Sequence, residues 1–301
     1  MDEPPAPRPG PAVPGRLAER ARQISDGRLS PAVPRDAATV ILVRQASGAA
    51  GIEAFLLRRT AELEFAPGAY VFPGGSVDAC DADEGIGWAG PGPAAFGRLL
   101  DVPPDRARAL VCAAVRETFE ESGVLLAGPA GSSPAGLVSV AGLAGDAALA
   151  GDRHALLTGA ASLGEVLGRR GLVLRADLLT PWARWITPEA SPRRYDTWFF
   201  AAAVPPGQAA TAAPEGFEDH AGPGESESGA WLRPAAALEA ARAGQITLLP
   251  PTAVTLGELA AHHDVAAVLA ARPVIAPRLP KVVVEGGRPR LVMPPSGEEA
   301  R

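Results

Sequence analysis

Residues 113–126 read AAVRETFEESGVLL. Glu117, Glu120 and Glu121 fall within five positions, beside Arg116 and between apolar residues. On a helix they stand at i, i+3 and i+4, so all three project to one side, and like charges so spaced repel by about 0.2–0.5 kcal/mol per pair. Such a strip is either a solvated face or lies against something positive. Leu110, Val111, Ala114, Val115 and Thr118 recur at helical spacing and supply the packing face of the same helix. It begins after Pro103-Pro104 at Asp105, runs to about Ser122 and stops at Gly123. Arg116 and Glu120 form an i,i+4 pair that orients one carboxylate. Three hard oxygen donors on one rigid strip suit Mg²⁺ or Mn²⁺, which prefer carboxylate and water to imidazole or thiolate.

The chain around this helix has 301 residues, enough to bury a substantial core. Its net charge of −6 supplies no global basic field, which argues against nucleic acid as a partner. An anionic substrate therefore needs local arginines or metal ions. Cys80 and Cys112 are the two cysteines, too few for a disulfide framework, and they suggest a reducing compartment. The longest uncharged run, Ser122 to Gly145, is broken by Gly, Pro and Ser and makes a poor membrane span. The expectation is a cytoplasmic protein with no membrane partner.

Residues 1–34 read as a disordered Pro-rich leader, with a short helix open within LAERARQISDGR. ATVILVR (38–44) and IEAFLLRR (52–59) read as strands of a hairpin. AYVFPGG (69–75) is a short strand ending in a turn. Residues 78–104, rich in Gly, Pro and Asp, read as an inserted loop, and 127–149 as a low-complexity stretch. A helix is expected over 152–170, and an aromatic strand over RRYDTWFFAAAV (193–204). AWLRP reads as a strand, PAAALEAARAG as a helix closed by Gly244, and PPTAVTLGELAAHHDVAAVLAAR as another helix. KVVVEGGRPRLVM reads as a hairpin around Gly286-Gly287. Strands and helices mix without a strict βαβ rhythm, which favours a helix-flanked mixed sheet.

Val71-Phe72-Pro73-Gly74-Gly75 runs a strand into a glycine turn. Glycine there permits close backbone approach and leaves a carbonyl free for a metal. Together, this turn and the acidic helix resemble the box of the Nudix hydrolase family, G-x5-E-x7-R-E-U-x-E-E-x-G-U with U bulky and apolar. Arg116-Glu117-Thr118-Phe119-Glu120-Glu121-Ser122-Gly123-Val124 matches its second half, with Thr118 a weak fit. Gly75 matches the first half, and Asp81 stands where the family has Glu. Between Asp81 and Arg116 lie 34 residues instead of 7, an insertion of 27. An insertion at this point is similar to that of the subgroup around the mammalian nucleoside diphosphate-linked moiety X motif 19 proteins. Trp182 to Pro188, Pro192 to Phe200, Trp231 with PAAAL, and Leu248 to Thr252 resemble later segments of that subgroup.

The resemblance implies an α+β fold: the Nudix fold, a mixed β-sheet sandwiched between α-helices. It carries an insertion in the box and extra C-terminal helices and a hairpin. One domain is expected over 35–295, with the insertion at 76–104 and an extension at 250–295. The resemblance makes Gly74 (through its carbonyl), Glu117, Glu120 and Glu121 metal ligands for Mg²⁺ or Mn²⁺. Arg116 orients the carboxylates, and Asp81 takes a supporting role. A later Glu serves some members as ligand or base; Glu225 matches best and Glu227 second, each weighed against being a solvated loop acid. Arg193, Arg194, Tyr195 and Trp185 are the candidate substrate-binding residues, since arginine matches phosphate geometry and the rings can frame a base or an acyl-pantetheine arm. A core role for the tryptophans, and a salt bridge from the arginines to Asp196, stay open beside that. His262-His263 reads as structural.

The implied reaction is hydrolysis of a pyrophosphate bond in a nucleoside-diphosphate-linked substrate. Metal ions neutralise the doubly anionic linkage and lower the pKa of a bound water, and a carboxylate removes a proton. The subgroup points to coenzyme A or acyl-CoA. Bacterial coenzyme A-cleaving relatives carry LLTxxSxxxRxxxGxxxFPGG; here Thr60, Gly68 and FPGG fit, while Leu57 and Glu64 depart. ADP-ribose, dinucleotides and nucleotide sugars are alternatives, as is a Nudix-fold ligand-binding or regulatory protein without turnover. A homodimer is implied by the resemblance alone.

Overall fold

The computed structural model describes residues 13–47, 51–60, 67–131, 147–212, 226–285 and 288–293. In chain order these form α1 (Gly15–Ser25), β1 (Arg35–Gln45), β2 (Ile52–Arg59), β3 (Ala69–Val71) and β4 (Gly74–Ser76). A short 3-10 turn at Ala79–Ala82 leads to β5 (Trp88–Ala89), α2 (Pro93–Leu100), α3 (Pro104–Ser122) and β6 (Ala127–Pro129). Then come α4 (Ala147–Leu157), α5 (Leu163–Arg170), β7 (Leu172–Arg175), β8 (Thr180–Ile186) and β9 (Tyr195–Ala203). The last part holds β10 (Ser226–Leu232), α6 (Pro234–Arg242), β11 (Thr247–Leu248), α7 (Pro250–Leu259), α8 (Val265–Ala270), β12 (Pro277–Arg278), β13 (Lys281–Glu285) and β14 (Arg288–Val292).

Two compact units result. The larger takes Ala37–Trp182 and Trp198–Ile275, and its mixed sheet has the order β11-β3-β2-β1-β9-β8, with β10 paired to β2 and β4 to β1. The β1–β2 hairpin is antiparallel, in the register Val43↔Ala54, while β11 joins β3 in parallel. In β1, Val40, Ile41, Leu42 and Val43 are all fully buried. Successive side chains of a strand point to opposite faces, so both faces of this sheet are covered. A helix-flanked mixed sheet follows: α3 lies against β4 and α2, and α6 against β2 and α7.

α3 starts with Pro at its first position and ends at Gly123 in the left-handed region (φ +71°), where a side chain would be strained. Its burial is wider than a single face. Leu110 to Val115 are fully buried without interruption, and Phe119 follows. The insertion is likewise more than a loop. It contains the Ala79–Ala82 turn, β5 and α2, and Phe96 and Leu100 of α2 enter the main core. β5 pairs in parallel with β7, which pairs antiparallel with β6, forming a separate three-stranded sheet.

Two expected helices are each divided. Residues 152–170 split because Ser162 opens a new helix: its Oγ accepts from the Glu165 N–H, and the Glu165 carboxylate accepts from the Ser162 N–H in return. Downstream of Pro250, Asp264 caps α8 by accepting from the Ala267 N–H.

The smaller unit comprises the chain up to Asp36, Ala183–Thr197 and the chain from Ala276. Within the expected leader, the short helix left open over LAERARQISDGR is present. α1 is a helix whose Arg20 Nε donates to the Ala190 carbonyl at 2.9 Å. Residues 1–12 lie outside the described residues. β13 and β14 pair antiparallel as expected, while Gly286-Gly287 between them lies outside the described residues. Among the described residues no helix is long and apolar enough to cross a membrane.

Candidate active site

β4 returns alongside β1 in the register Thr39↔Gly74 and Ala38↔Gly75. The Val40 N–H donates to the Pro73 carbonyl at 2.9 Å. Antiparallel pairs alternate between bonded and non-bonded positions, so Gly74 falls at a non-bonded one. Its N–H and C=O therefore turn away from β1. The N–H meets α3, donating to Glu121 Oε2 at 2.7 Å. Backbone leaves no room for a side chain at Gly74, whereas at Gly75 the obstacle is a side chain that would have to move. A Cβ at Gly74 would lie 2.4 Å from the Ala38 carbonyl oxygen, and one at Gly75 would lie 2.5 Å from the Glu117 carboxylate. The two halves of the motif thus touch at backbone distance.

Arg116 sits at the centre, with its side chain 6 % exposed. Its Nε and Nη2 donate to the two oxygens of Asp81 at 3.0 and 2.9 Å. Nη1 donates to Glu117 Oε1 at 2.8 Å and, less closely, to Glu120 at 3.3 Å. Nη2 also donates to the Ser76 carbonyl at 2.9 Å. The planar fork of arginine suits this bidentate grip. Asp81 is 1 % exposed and is itself fixed, because its Oδ2 accepts from the Asp78 N–H at 2.8 Å. Its short side chain reaches Arg116 because the Ala79–Ala82 turn brings it against α3.

The acidic strip is not a solvated face. The Glu117 and Glu120 side chains are each 13 % exposed. Burial pushes Glu117 up to about 8; Arg116 pulls the other way, and Glu120 adds to the rise. Burial also raises Glu120, against the pull of Arg116. For Arg116, burial disfavours the charge, but Asp81 and Glu117 outweigh it and raise its pKa. One guanidinium thus faces four carboxylates, those of Asp78, Asp81, Glu117 and Glu120, and the surplus is negative. Charge and donor type fit a hard divalent cation at Glu117, Glu120, Glu121 and the Gly74 carbonyl. As they stand, no three Asp, Glu, His or Cys side chains among the described residues are grouped so that they could hold a metal ion; the carboxylates are turned to Arg116 and to the Gly74 N–H.

Glu225 is outside the described residues; Glu227 lies in β10, where the register to β2 shifts between Ser226 and Ser228. Arg193, Arg194, Tyr195 and Trp185 belong to the smaller unit. Arg194 is buried and donates to the carbonyls of Thr187 and Ala32 at 3.0 and 2.7 Å. Trp185 is buried beneath Arg278, whose guanidinium lies 5.3 Å from the ring centroid. Arg193 and Tyr195 are exposed. The salt bridge considered for Arg193 or Arg194 to Asp196 is made instead by Arg184, bidentate at 2.8 and 2.7 Å. In the larger unit, Trp182 is a core residue whose Nε1 donates to Glu258 at 2.9 Å, with His262 edge-on to its ring.

An arginine-clamped acidic helix against a double glycine, on a mixed sheet flanked by helices, is the arrangement of a Nudix hydrolase. The model of the NUDT19 Nudix domain matches residues 96–259, and the chain belongs to that family. The match begins inside the insertion, so the union of the glycine turn with the helix rests on the geometry above. The chain is 30 % identical over 257 residues to the Gallus gallus acyl-coenzyme A diphosphatase NUDT19, covering 72 % of this chain and 65 % of that one. It is 32 % identical over 246 residues to the Homo sapiens protein of the same name, covering 67 % and 59 %. To the putative nudix hydrolase 7 of Caenorhabditis elegans it is 27 % identical over 230 residues, covering 76 % and 62 %. It spans less than two thirds of the length of each of these relatives. A NUDIX hydrolase from Alicyclobacillus acidocaldarius has the same fold, with a TM-score of 0.60, 24 % identity, and 81 % of this chain and 99 % of that one covered.

Proposed function

We propose that the chain hydrolyses the diphosphate bond of a nucleoside-diphosphate-linked compound, with coenzyme A or an acyl-CoA as the substrate class. The observation that carries this is the Arg116 clamp, which holds Asp81, Glu117 and Glu120 in one cluster while Glu121 binds the Gly74 N–H. The relatives' name, acyl-coenzyme A diphosphatase, supports the substrate class.

In this reading Glu117, Glu120, Glu121 and the Gly74 carbonyl hold Mg²⁺ or Mn²⁺. When bound, the metal neutralises the diphosphate and acidifies water. Arg116 keeps the carboxylates in register, and Asp81 keeps Arg116 in place. The fully buried helix middle, anchored in the core, fixes the strip against drift, which matters because small misplacements cost large factors in rate. A carboxylate of the strip, or Glu225 or Glu227, accepts the proton of the attacking water. Arg193, Tyr195, Arg194 and Trp185 remain the candidate substrate contacts, with exposed Arg193 the most accessible of the cations. One domain over 35–295 and a reducing, cytoplasmic setting complete the reading; the two free thiols, exposed Cys80 and buried Cys112, support that setting.

The test is release of phosphorylated products from coenzyme A, acyl-CoA, ADP-ribose, NADH and diadenosine polyphosphates in Mg²⁺ and Mn²⁺. Coenzyme A-type substrates should turn over fastest, and Glu120→Gln and Glu121→Gln should each lose about 10²-fold or more. Full turnover by both variants would sink the assignment of the strip. Absence of turnover across the panel would leave a ligand-binding Nudix protein.

A further inference from the structure

The last four carbonyls of a helix have no partner within it and must find one elsewhere. At the end of α3 these belong to Phe119, Glu120, Glu121 and Ser122, the turn that carries two of the three proposed carboxylate ligands. The Gly123 N–H meets the Phe119 carbonyl at 2.9 Å, and the Thr211 N–H meets that of Ser122 at 2.9 Å. The Glu120 carbonyl is taken by a side chain from outside the motif: Arg153 of α4, whose Nε donates to it at 2.8 Å. Arg153 Nη2 donates at the same time to the Thr211 carbonyl at 3.1 Å. One guanidinium therefore bridges the end of α3 to the strand-leaving segment that also caps it.

The seat of Arg153 depends on the motif glycine. A Cβ at Gly123 would lie 3.1 Å from Arg153 Nη1 and 3.5 Å from its Cζ. Gly123 thus has two tasks, the left-handed turn and room for the guanidinium. A cation at a helix C-terminus also complements the helix dipole. Burial lowers the Arg153 pKa and the Glu121 carboxylate opposes that, so the two charges sense each other.

We propose that Arg153 is a positioning residue: it fixes the last turn of α3, and with it the aim of Glu120 and Glu121, without touching substrate. This rests on the metal-binding role given above to those glutamates. It makes an unusual prediction for metal affinity. Arg153 is a positive charge near a proposed cation site, so on electrostatics alone its removal should tighten metal binding. Positioning predicts the reverse.

The experiment compares wild type, Arg153→Met and Arg153→Lys in the full chain. Mn²⁺ binding without substrate is read by electron paramagnetic resonance, kcat and KM by turnover, and amide exchange at Phe119–Gly123 by mass spectrometry. Arg153→Met should weaken Mn²⁺ binding several-fold and lower kcat about tenfold with KM little changed. Exchange at Phe119–Gly123 should speed by about tenfold. Arg153→Lys keeps the charge and one donor, and should recover part of each loss. Unchanged or tighter Mn²⁺ binding by Arg153→Met, with wild-type exchange at those amides, overturns the proposal. If the wild type itself neither binds Mn²⁺ nor turns over, the metal reading falls instead. Exchange at Phe119–Gly123 then still decides whether Arg153 holds the helix end.

Discussion

Asp81 grips Arg116 with both carboxylate oxygens, at 3.0 and 2.9 Å, across 35 positions of chain. Both side chains are out of water, at 1 % and 6 % exposure. Glu117 and Glu120 still face Arg116 when Asp81 loses its charge, so the guanidinium is not stranded, but two buried hydrogen bonds are impaired at a cost of about 1–3 kcal/mol. Asp81→Asn should therefore lower the unfolding free energy by about that amount in urea denaturation. Activity per folded molecule should fall as well, since Arg116 is then free to leave Glu117 and Glu120. A loss within measurement error would mean that Ser76 and the glutamates hold Arg116 without Asp81.

Gly75→Ala tests the contact between strand and helix. The added Cβ would sit 2.5 Å from the Glu117 carboxylate, so one of the two must move. Glu117 is the far end of a side chain and can yield more easily than the β4 backbone. The expected stability cost is about 1–3 kcal/mol, as for other overpacked sites. The expected activity loss is larger in proportion, because the yielding group is a proposed ligand. A variant with wild-type kcat would place Glu117 outside the chemistry.

The pH dependence of the metal-free protein has a definite sign. Glu117 and Glu120 face Arg116 on their own helix, Asp81 on the 3-10 turn and Asp78 just before it. Glu117 stands at about 8 in the folded chain against an ordinary value of 4.5. Between those values the folded state binds more protons than the unfolded one, so stability falls as pH rises. It is full below about 4.5 and lost as pH passes about 8, and Glu120 is shifted in the same direction. Urea midpoints in chelator should drop from pH 5 to pH 8. Mg²⁺ should flatten that slope by replacing the proton as counter-charge, and a midpoint that climbs with pH in chelator contradicts the assignment.

The acidic helix is legible in sequence because its signals are local: a proline start, a glycine stop and 3.6-residue spacing. The β1–β2 hairpin is legible for the same reason. The insertion is not, because its order comes from contacts made elsewhere. Phe96 and Leu100 find α3 and the sheet, and β5 finds β7 86 residues further on, Trp88 opposite Leu174. Composition rich in Gly, Pro and Asp reads as loop until those partners are known. The break between α4 and α5 has a local sign, the Ser162–Glu165 capping box, which the apolar periodicity of 152–170 obscures. The reach of Asp81 is not legible, since it depends on a 3-10 turn that only tertiary contact stabilises. The role of Arg153 leaves no pattern at all, as a side chain capping a distant carbonyl has no fixed spacing.

The insertion should prove part of the folded core. Phe96 of α2 is 1 % exposed and packs edge-on to Trp88 at 6.5 Å and to Phe200 of β9 at 6.3 Å. It thus joins the insertion to the central sheet of the larger unit. Truncation leaves a cavity that close-packed neighbours fill only in part, so Phe96→Ala should cost about 3–5 kcal/mol. α2 also packs against the helix that carries Arg116, so the same variant should loosen the acidic strip. A lid or a peripheral loop would behave differently, losing activity while keeping its denaturation midpoint. Urea denaturation of Phe96→Ala beside its Mg²⁺-dependent turnover separates the two. A wild-type midpoint would return the insertion to the periphery, whereas a parallel loss of stability and metal-supported activity marks it as the floor on which Asp81 and Arg116 meet.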